Sequence, residues 1–392
     1  MTQPPASGAP VIAYVTTLTM PSGETDTEQT IRSFEAMHRV DPRCELVAPR
    51  TRPERTAQQA INAFYQTEQG LSIRFYRGIG ALPGEAERLF HALFAVFRWK
   101  GRYDIIQTRS RGTVILAILL GQRAGFETYR MLPITNPLFF RVLRLLAGSR
   151  SLLGITCHSH QARESLLEGG IAAEKLKVFH NGFQASVFDP PTSRAEAREK
   201  AGLPQDRQIV TYAGNVQKGK GVETLLQLAQ MRPNILFSII GGNPDSLSRI
   251  ATLARTLQLS NLVLPGRQPP DRVALHLRAA DVLVIPPTDE PQRLYRRTLL
   301  PMKTFLYLGA GRPILAPATP DLCEVLRHGE NAWLVRPDAL DDAAAALDRL
   351  LSDPELAMRL ARGAAETAAH ASWDHRATAL RDWLIQRFRA AC

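Results

Sequence analysis

The chain has 392 residues, 45% hydrophobic and 22% charged, which excludes a disordered or fibrous protein and allows two domains of ordinary size. Its formal net charge is +11, and residues 1–183 hold 22 Lys/Arg against 15 Asp/Glu. A plain solvated surface and an anionic membrane surface both suit that excess; a nucleic acid is the weakest reading, because no recognised nucleic-acid motif is present. The longest apolar run, Thr113 to Leu120, is too short to span a membrane. MTQPPASGAP lacks a basic stretch leading into an apolar one, so no signal peptide is expected. Cys44, Cys157, Cys323 and Cys392 are scattered without metal-ligand spacing, which fits a reducing cytosol.

Val11 to Val15 reads as a first strand, followed by a turn through Gly23 and a helix from about Thr27 to Val40. With a strand at Glu45–Ala48 this is a βαβ opening, and ligands in such sheets lie at the strand C-terminal ends. Gly23 therefore either lets a ligand approach the backbone or only permits the turn. Residues 50–70 read as a helix with flanking loops, and Leu71 to Tyr76 as a strand. Gly84 to Trp99 reads as an amphipathic helix bearing Leu89, Leu93, Phe94 and Phe97, with His91 packed. A strand at 103–107, a crossover helix at 112–124 and a strand at 128–132 follow. Pro137 to Ala147 is a helix whose Arg141 and Arg144 flank leucines; it packs on the sheet or lies on a membrane surface. A strand at 152–157 leads to His158 and His160, a pair with no third metal ligand nearby. The Pro- and charge-rich stretch 186–208 reads as a linker.

A second α/β series begins at Ile209–Leu226, IVTYAGNVQKGKGVETLL. A short strand ends in Gly214-Asn215, then Lys218, Lys220 and Gly221 precede a helix with Leu225, Leu226 and Ala229 on one face. Backbone N–H groups and the helix dipole at such a junction favour a phosphate or diphosphate, and a lysine adds a full charge. Many α/β proteins carry a glycine turn there for packing alone, and the spacing is neither GxxxxGK[ST] nor GxGxxG. Strands at 236–240, 262–264, 282–285 and 313–315 alternate with helices at 246–257, 271–279 and 301–308. The economical architecture is two doubly wound domains facing each other across a cleft.

From Lys177 onward the motifs resemble, in order, the retaining glycosyltransferases of family 4: KVFHNGFQASVFDP, YAGNVQKGKGVETLL, SIIGG, VLPG, AADVLVIPP, PMKTFLYLGAGRPILA and GENAWLVRPDALDDAAAALDRLL. SWDHRATAL resembles the family's terminal helix. The resemblance implies the GT-B fold: an acceptor-side Rossmann-like domain at 1–185, a nucleotide-sugar domain at 186–371, and a helix at 372–392 crossing back to the first domain. It implies transfer of a sugar from a nucleotide-sugar to an unidentified acceptor with retention, without a metal or other cofactor, and without a protein nucleophile because the donor phosphate takes the acceptor proton.

Carried over residue by residue, Lys220 sits on the donor diphosphate, with Asn215 where relatives often have arginine and Lys218 as the neighbouring cation. Gly23 and Gly214 approach the diphosphate; Gly241, Gly242 and Arg267 line the nucleotide pocket; Lys303, with Arg293, Arg296 and Arg297 before it, matches a subfamily lysine. The family's Glu-x7-Glu pair is missing: its second glutamate falls at Leu306 and its first near Thr298, with Glu290 a substitute. Two rival readings follow, a catalytically silent GT-B protein that binds a ligand or stabilises a partner, and an epimerase or glycogen-synthase-like enzyme. The implied location is cytoplasmic, with a peripheral position on an anionic membrane as an option.

Overall fold

A computed structural model describes residues 8–50, 53–67, 70–78, 84–295 and 300–391. The chain forms two compact units, Met1–His180 together with Trp373–Cys392, and Asn181–Ser372. The first is built from β1 (Ile12–Val15), α1 (Thr25–Val40), β2 (Glu45–Arg50), α2 (Glu54–Tyr65), β3 (Ile73–Arg77), α3 (Gly84–Arg98), β4 (Ile105–Thr108), α4 (Arg111–Leu119), β5 (Ala124–Thr128), α5 (Leu132–Thr135), α6 (Pro137–Leu146), β6 (Leu152–Cys157), α7 (His160–Glu168) and β7 (Leu176–Val178). The second follows as α8 (Arg194–Ala201), β8 (Ile209–Ala213), α9 (Val222–Met231), β9 (Leu236–Ile240), α10 (Pro244–Thr256), β10 (Leu262–Gly266), α11 (Pro270–Ala279), β11 (Val282–Val284), α12 (Glu290–Tyr295), α13 (Met302–Ala310), β12 (Ile314–Pro317), β13 (Trp333–Val335), α14 (Leu340–Ser352) and α15 (Pro354–Ala368). Helix α16 (Trp373–Ala391) then joins the first unit.

Each unit holds one parallel sheet, ordered β3-β2-β1-β4-β5-β6-β7 and β10-β9-β8-β11-β12-β13. Both are doubly wound, as the alternating strand and helix patterns imply. Every residue of β8 and β9 is buried, because helices cover both faces and continuous apolar runs are what a parallel strand then requires. The second sheet's core joins Val210, Tyr212, Phe237 and Val284 to Leu225 and Leu226 of α9 and Leu347 of α14.

Helix α16 packs on α1 and on β6. A Cβ added at Gly154 of β6 would stand 2.4 Å from Trp383 Cη2, and one at Gly125 of β5 would stand 2.2 Å from Gln107 Oε1 of β4 and 2.8 Å from Leu384 Cδ2. Gly154 makes room for the terminal helix, and Gly125 for both that helix and Gln107. A buried ion network adds to the join. The Tyr14 hydroxyl donates to Glu127 Oε2 at 2.6 Å, and Arg376 Nη2 of α16 lies 3.0 Å from Glu127 Oε1.

Three expectations need correction. The strand expected at 128–132 is Ala124–Thr128, and its preceding helix ends at Leu119, because Leu120 and Gly121 close the turn that the apolar run had suggested was still helical. The stretch 186–208 is no linker: Ser193 and Glu196 form a capping box for α8, Arg198 pairs with Asp281 at 2.7 Å, and α8 packs on α11. In α3 the large apolar residues face outward. The helix packs through His91, Ala92, Ala95 and Val96, with Ala92 so close to Gly112 of α4 that a Cβ on that glycine would stand 3.1 Å from it. Leu89, Leu93, Phe94 and Phe97 are left exposed.

Candidate functional site

The second unit gathers cations where its central strands end. Tyr212, next to last in β8, is fully buried and aims its hydroxyl past the strand end, donating to the Asn215 carbonyl at 2.7 Å. Lys303, in the first turn of α13, reaches back to that hydroxyl, donating at 2.7 Å with its Nζ 4.0 Å from the ring centroid. Tyr307, one turn along α13, uses its hydroxyl to accept the Ala213 N–H at 2.7 Å and ties the helix to the strand end. The aliphatic end of Lys303 crosses Gly214 so closely that a Cβ there would meet Nζ at 2.7 Å and Cε at 3.0 Å. Gly214 is therefore a glycine because a lysine lies over it.

Burial pulls the Lys303 ammonium down to about 7, and the charge of Lys220 pushes it the same way. The two ammonium groups repel, so the charge of one disfavours that of the other. Such a pair is stabilised by an anion.

The loop between β8 and α9 separates its two lysines. Lys218 is exposed, whereas Lys220 is half-buried and electrostatically coupled to Lys303. Asn215 closes the turn on itself: its Oδ1 accepts the Gln217 N–H at 2.9 Å and its Nδ2 donates to Gln217 Oε1 at 3.2 Å. Gly221 caps α9 with a φ of 72°, and a Cβ there would strike Thr288 Cγ2 at 2.3 Å. Gly241 follows β9 with a φ of 114°, and a Cβ on it would come within 2.0 Å of the Gly214 carbonyl oxygen. A Cβ on Gly242 would meet Val216 Cγ2 at 2.3 Å. Both glycines are thus required by the Gly214–Val216 turn itself. Arg267 is exposed just beyond β10.

Glu290 begins α12, its N–H donating to Thr288 Oγ1 at 3.1 Å. Arg293, expected in a cation cluster, instead pairs with Asp289 at 2.7 Å and Asp338 at 2.9 Å, so two carboxylates already occupy its guanidinium. Arg296, Arg297 and Thr298 lie outside the described residues. Leu306 is half-buried against the apolar cluster around Phe305 and Leu308, where its side chain offers no acceptor to a hydroxyl.

In the first unit, Gly23 is exposed in the turn between β1 and α1. Polar side chains collect at the ends of β4 to β6. The Tyr129 hydroxyl accepts from Arg130 Nη2 at 3.0 Å and donates to Asp26 Oδ2 at 2.9 Å; its ring meets His158 edge-on at 5.9 Å. Arg109 sits 5.2 Å over the same ring and donates to Gln29 Oε1 at 2.6 Å. Glu127 lies beneath. Burial raises its carboxyl, but Arg376, Arg109 and the Tyr14 hydroxyl outweigh that and bring it down to about 2.

The roles of Tyr212, Tyr307 and this first-unit cluster were not read from the sequence. A tyrosine inside a β-type run such as Tyr212 looks like core, as does Tyr307 on the apolar face of α13, and only the position of Tyr212 one residue from its strand end could have marked it.

Residues 193–367 match the family model of the glycosyl transferases group 1. D-inositol 3-phosphate glycosyltransferase of Streptomyces bingchenggensis is 31% identical over 244 residues, 58% of this chain and 51% of that protein. The chain thus spans about half the length of the curated relatives it matches. Sucrose-phosphate synthase of Thermosynechococcus elongatus superposes with a TM-score of 0.74 at 19% identity, covering 97% of this chain and 99% of that one. Anabaena Alr3699/HepE in complex with UDP-glucose superposes at 0.70 with 14% identity, again covering 97% and 99%. The fold is therefore that of the GT-B glycosyltransferases, two parallel-sheet Rossmann-like domains with a C-terminal helix.

Proposed function

We propose that the protein is a retaining glycosyltransferase that moves a sugar from a nucleotide-sugar to an acceptor. The observation that carries the reading is the buried Lys303 ammonium lying over Gly214 within the field of the Lys220 charge. A diphosphate placed there offsets the repulsion between the two ammonium groups. As the bond from the anomeric carbon to the phosphate oxygen breaks, negative charge grows on the leaving diphosphate, and preorganised cations stabilise it most in that state. The two lysines supply the charge that a divalent cation supplies elsewhere, so the proposal is for transfer without a metal. The acceptor oxygen attacks from the face the diphosphate leaves, and its proton passes to a donor phosphate oxygen. The strand-end cluster of Asp26, Tyr129, Arg130 and His158 is the proposed acceptor side, with Gly23 on the same unit. The proposed setting is the cytoplasmic face of a membrane, with glycolipid or surface-polysaccharide assembly as the context.

Leu306 favours one rival, a protein that binds a ligand without turnover, because leucine gives a ribose no acceptor. A thermal-shift screen against UDP, GDP, ADP and their sugars separates the two. A ligand at a hundredfold excess over its Kd stabilises the folded state by about 2.7 kcal/mol. A shift with one nucleotide, lost in Lys220→Ala, supports the transferase; well-folded protein with no shift for any of them removes it.

A further inference from the structure

The described residues expose twelve large apolar side chains, and nine of them lie on α3 to α6 of the first unit. Four belong to α3, one is Leu119 at the end of α4, and one is Ile134 on α5. The other three, Leu138, Val142 and Leu145, are spaced i, i+4 and i+7 along α6 and form a single stripe. Phe140 and Leu143 on the opposite side of α6 are buried in the first core. The helix is therefore apolar on both its inward and its outward side, which packing on the sheet does not explain. Helix α3 packs on α4, and α4 on α6, so these elements form one layer.

The charge of this layer is mostly of one sign. Residues 84–150 contain eleven Lys/Arg and four Asp/Glu, a net of +7 within a chain of +11. Three of the acids face groups of the fold: Glu87 lies 3.8 Å from the buried His91, Asp104 accepts the Val11 N–H at 2.8 Å, and Glu127 is buried between Arg376 and Tyr14. From Thr128 to Arg163 there are five arginines and no acid. Arg141 and Arg144 are exposed beside the α6 stripe. Their long stems can lie along an apolar layer while the guanidiniums stay at its polar rim.

From these observations we infer that the α3–α6 layer docks in the plane of an anionic lipid bilayer, with Leu138, Val142 and Leu145 inserted at the headgroup boundary and Arg141 and Arg144 on lipid phosphates. A bilayer fits better than a protein partner because the apolar positions are spread over several helices with arginines between them, which is the pattern of an interfacial surface. The inference rests on the proposed membrane setting but not on the donor site.

The test is co-sedimentation of the full chain with phosphatidylcholine vesicles, with and without about 30% phosphatidylglycerol, at low and high salt. Wild type is expected to pellet only with the anionic vesicles, less as salt rises. Leu138→Glu/Leu145→Glu and Arg141→Glu/Arg144→Glu should each lower the bound fraction at least about tenfold, since every basic residue near such a surface counts. All these side chains are exposed, and melting curves with and without UDP on the same preparations report the fold and the donor site separately. Wild type left in the supernatant, or double variants that pellet like wild type, overturns the inference. So does a wild-type dimer that the leucine variant makes monomeric, which would give the face to a second copy of this chain.

Discussion

The Lys303 ammonium donates to the Tyr212 hydroxyl at 2.7 Å while standing 4.0 Å over the same ring. Tyrosine thus holds the lysine by its face and its edge at once, and fixes the cation above Gly214 without neutralising it. Lys303→Met keeps the packing volume and removes the charge. Turnover of the donor is expected to fall on the order of a hundredfold, the loss typical of one preorganised group at a developing anion. An unchanged kcat/KM with intact melting would take Lys303 out of the site.

The same lysine predicts a pH dependence. With its folded pKa near 7, Lys303 is neutral in the free protein above that value and charged below it. A bound diphosphate favours the charged form, so binding takes up a proton and UDP affinity should weaken as pH rises from about 6 to 9. The stability contribution of the ligand-free protein runs the other way. The folded pKa is depressed, so the cost of the buried charge is full below pH 7 and is relieved as pH rises towards the unfolded value. Titration calorimetry in buffers of different ionisation enthalpy reads the proton directly, and Lys303→Met should abolish it.

Lys218 and Lys220 separate by exposure. Lys220→Ala should lower donor kcat/KM by about a hundredfold, whereas Lys218→Ala, an exposed position, should stay within about threefold. Steady-state kinetics of both variants decide this, and equal losses would mean that the loop changes register around the donor. EDTA should leave the wild-type rate unchanged, and a loss restored by one divalent cation would contradict metal-independent transfer.

Gly241→Ala tests the turn rather than the chemistry. Its φ of 114° is strained for alanine, and the new Cβ would sit 2.0 Å from the Gly214 carbonyl oxygen. A loss of about 2 kcal/mol or more in stability is expected, with UDP binding lost alongside because the Gly214 turn must move. Chemical denaturation measures the first and calorimetry the second.

Arg376→Ala leaves Glu127 buried opposite the more distant Arg109, which lies 3.8 Å away. Removing one partner of a buried pair typically costs about 3–5 kcal/mol. The carboxyl's folded pKa of about 2 lies below its unfolded value, so its stabilisation is present above that value and is lost as pH falls through the acid range. The variant should unfold at lower denaturant and show a flatter acid limb; an unchanged limb would move the pH dependence to other carboxylates.

The sequence by itself determined the alternation of strands and helices in both halves, and with it the two doubly wound sheets. Apolar runs of about five residues between glycine turns leave a parallel sheet few alternatives. It also marked Gly214 and Lys220 in the turn after a strand, and Lys303 at a helix N-terminus through the family resemblance. What it could not determine is anything that depends on a neighbour far along the chain. The resemblance marks Gly241 and Gly242 as ligand-lining residues, and the Gly214 turn packed against them gives a second reason for glycine at both positions. Arg293 reads in the sequence only as one of the arginines before Lys303, and its partner Asp338, 45 residues on, is visible only in the fold. Periodicity finds the amphipathic face of α3 but not its direction. The close approach of Ala92 to Gly112 of α4, a contact that neither helix's own pattern contains, is set by the tertiary packing alone.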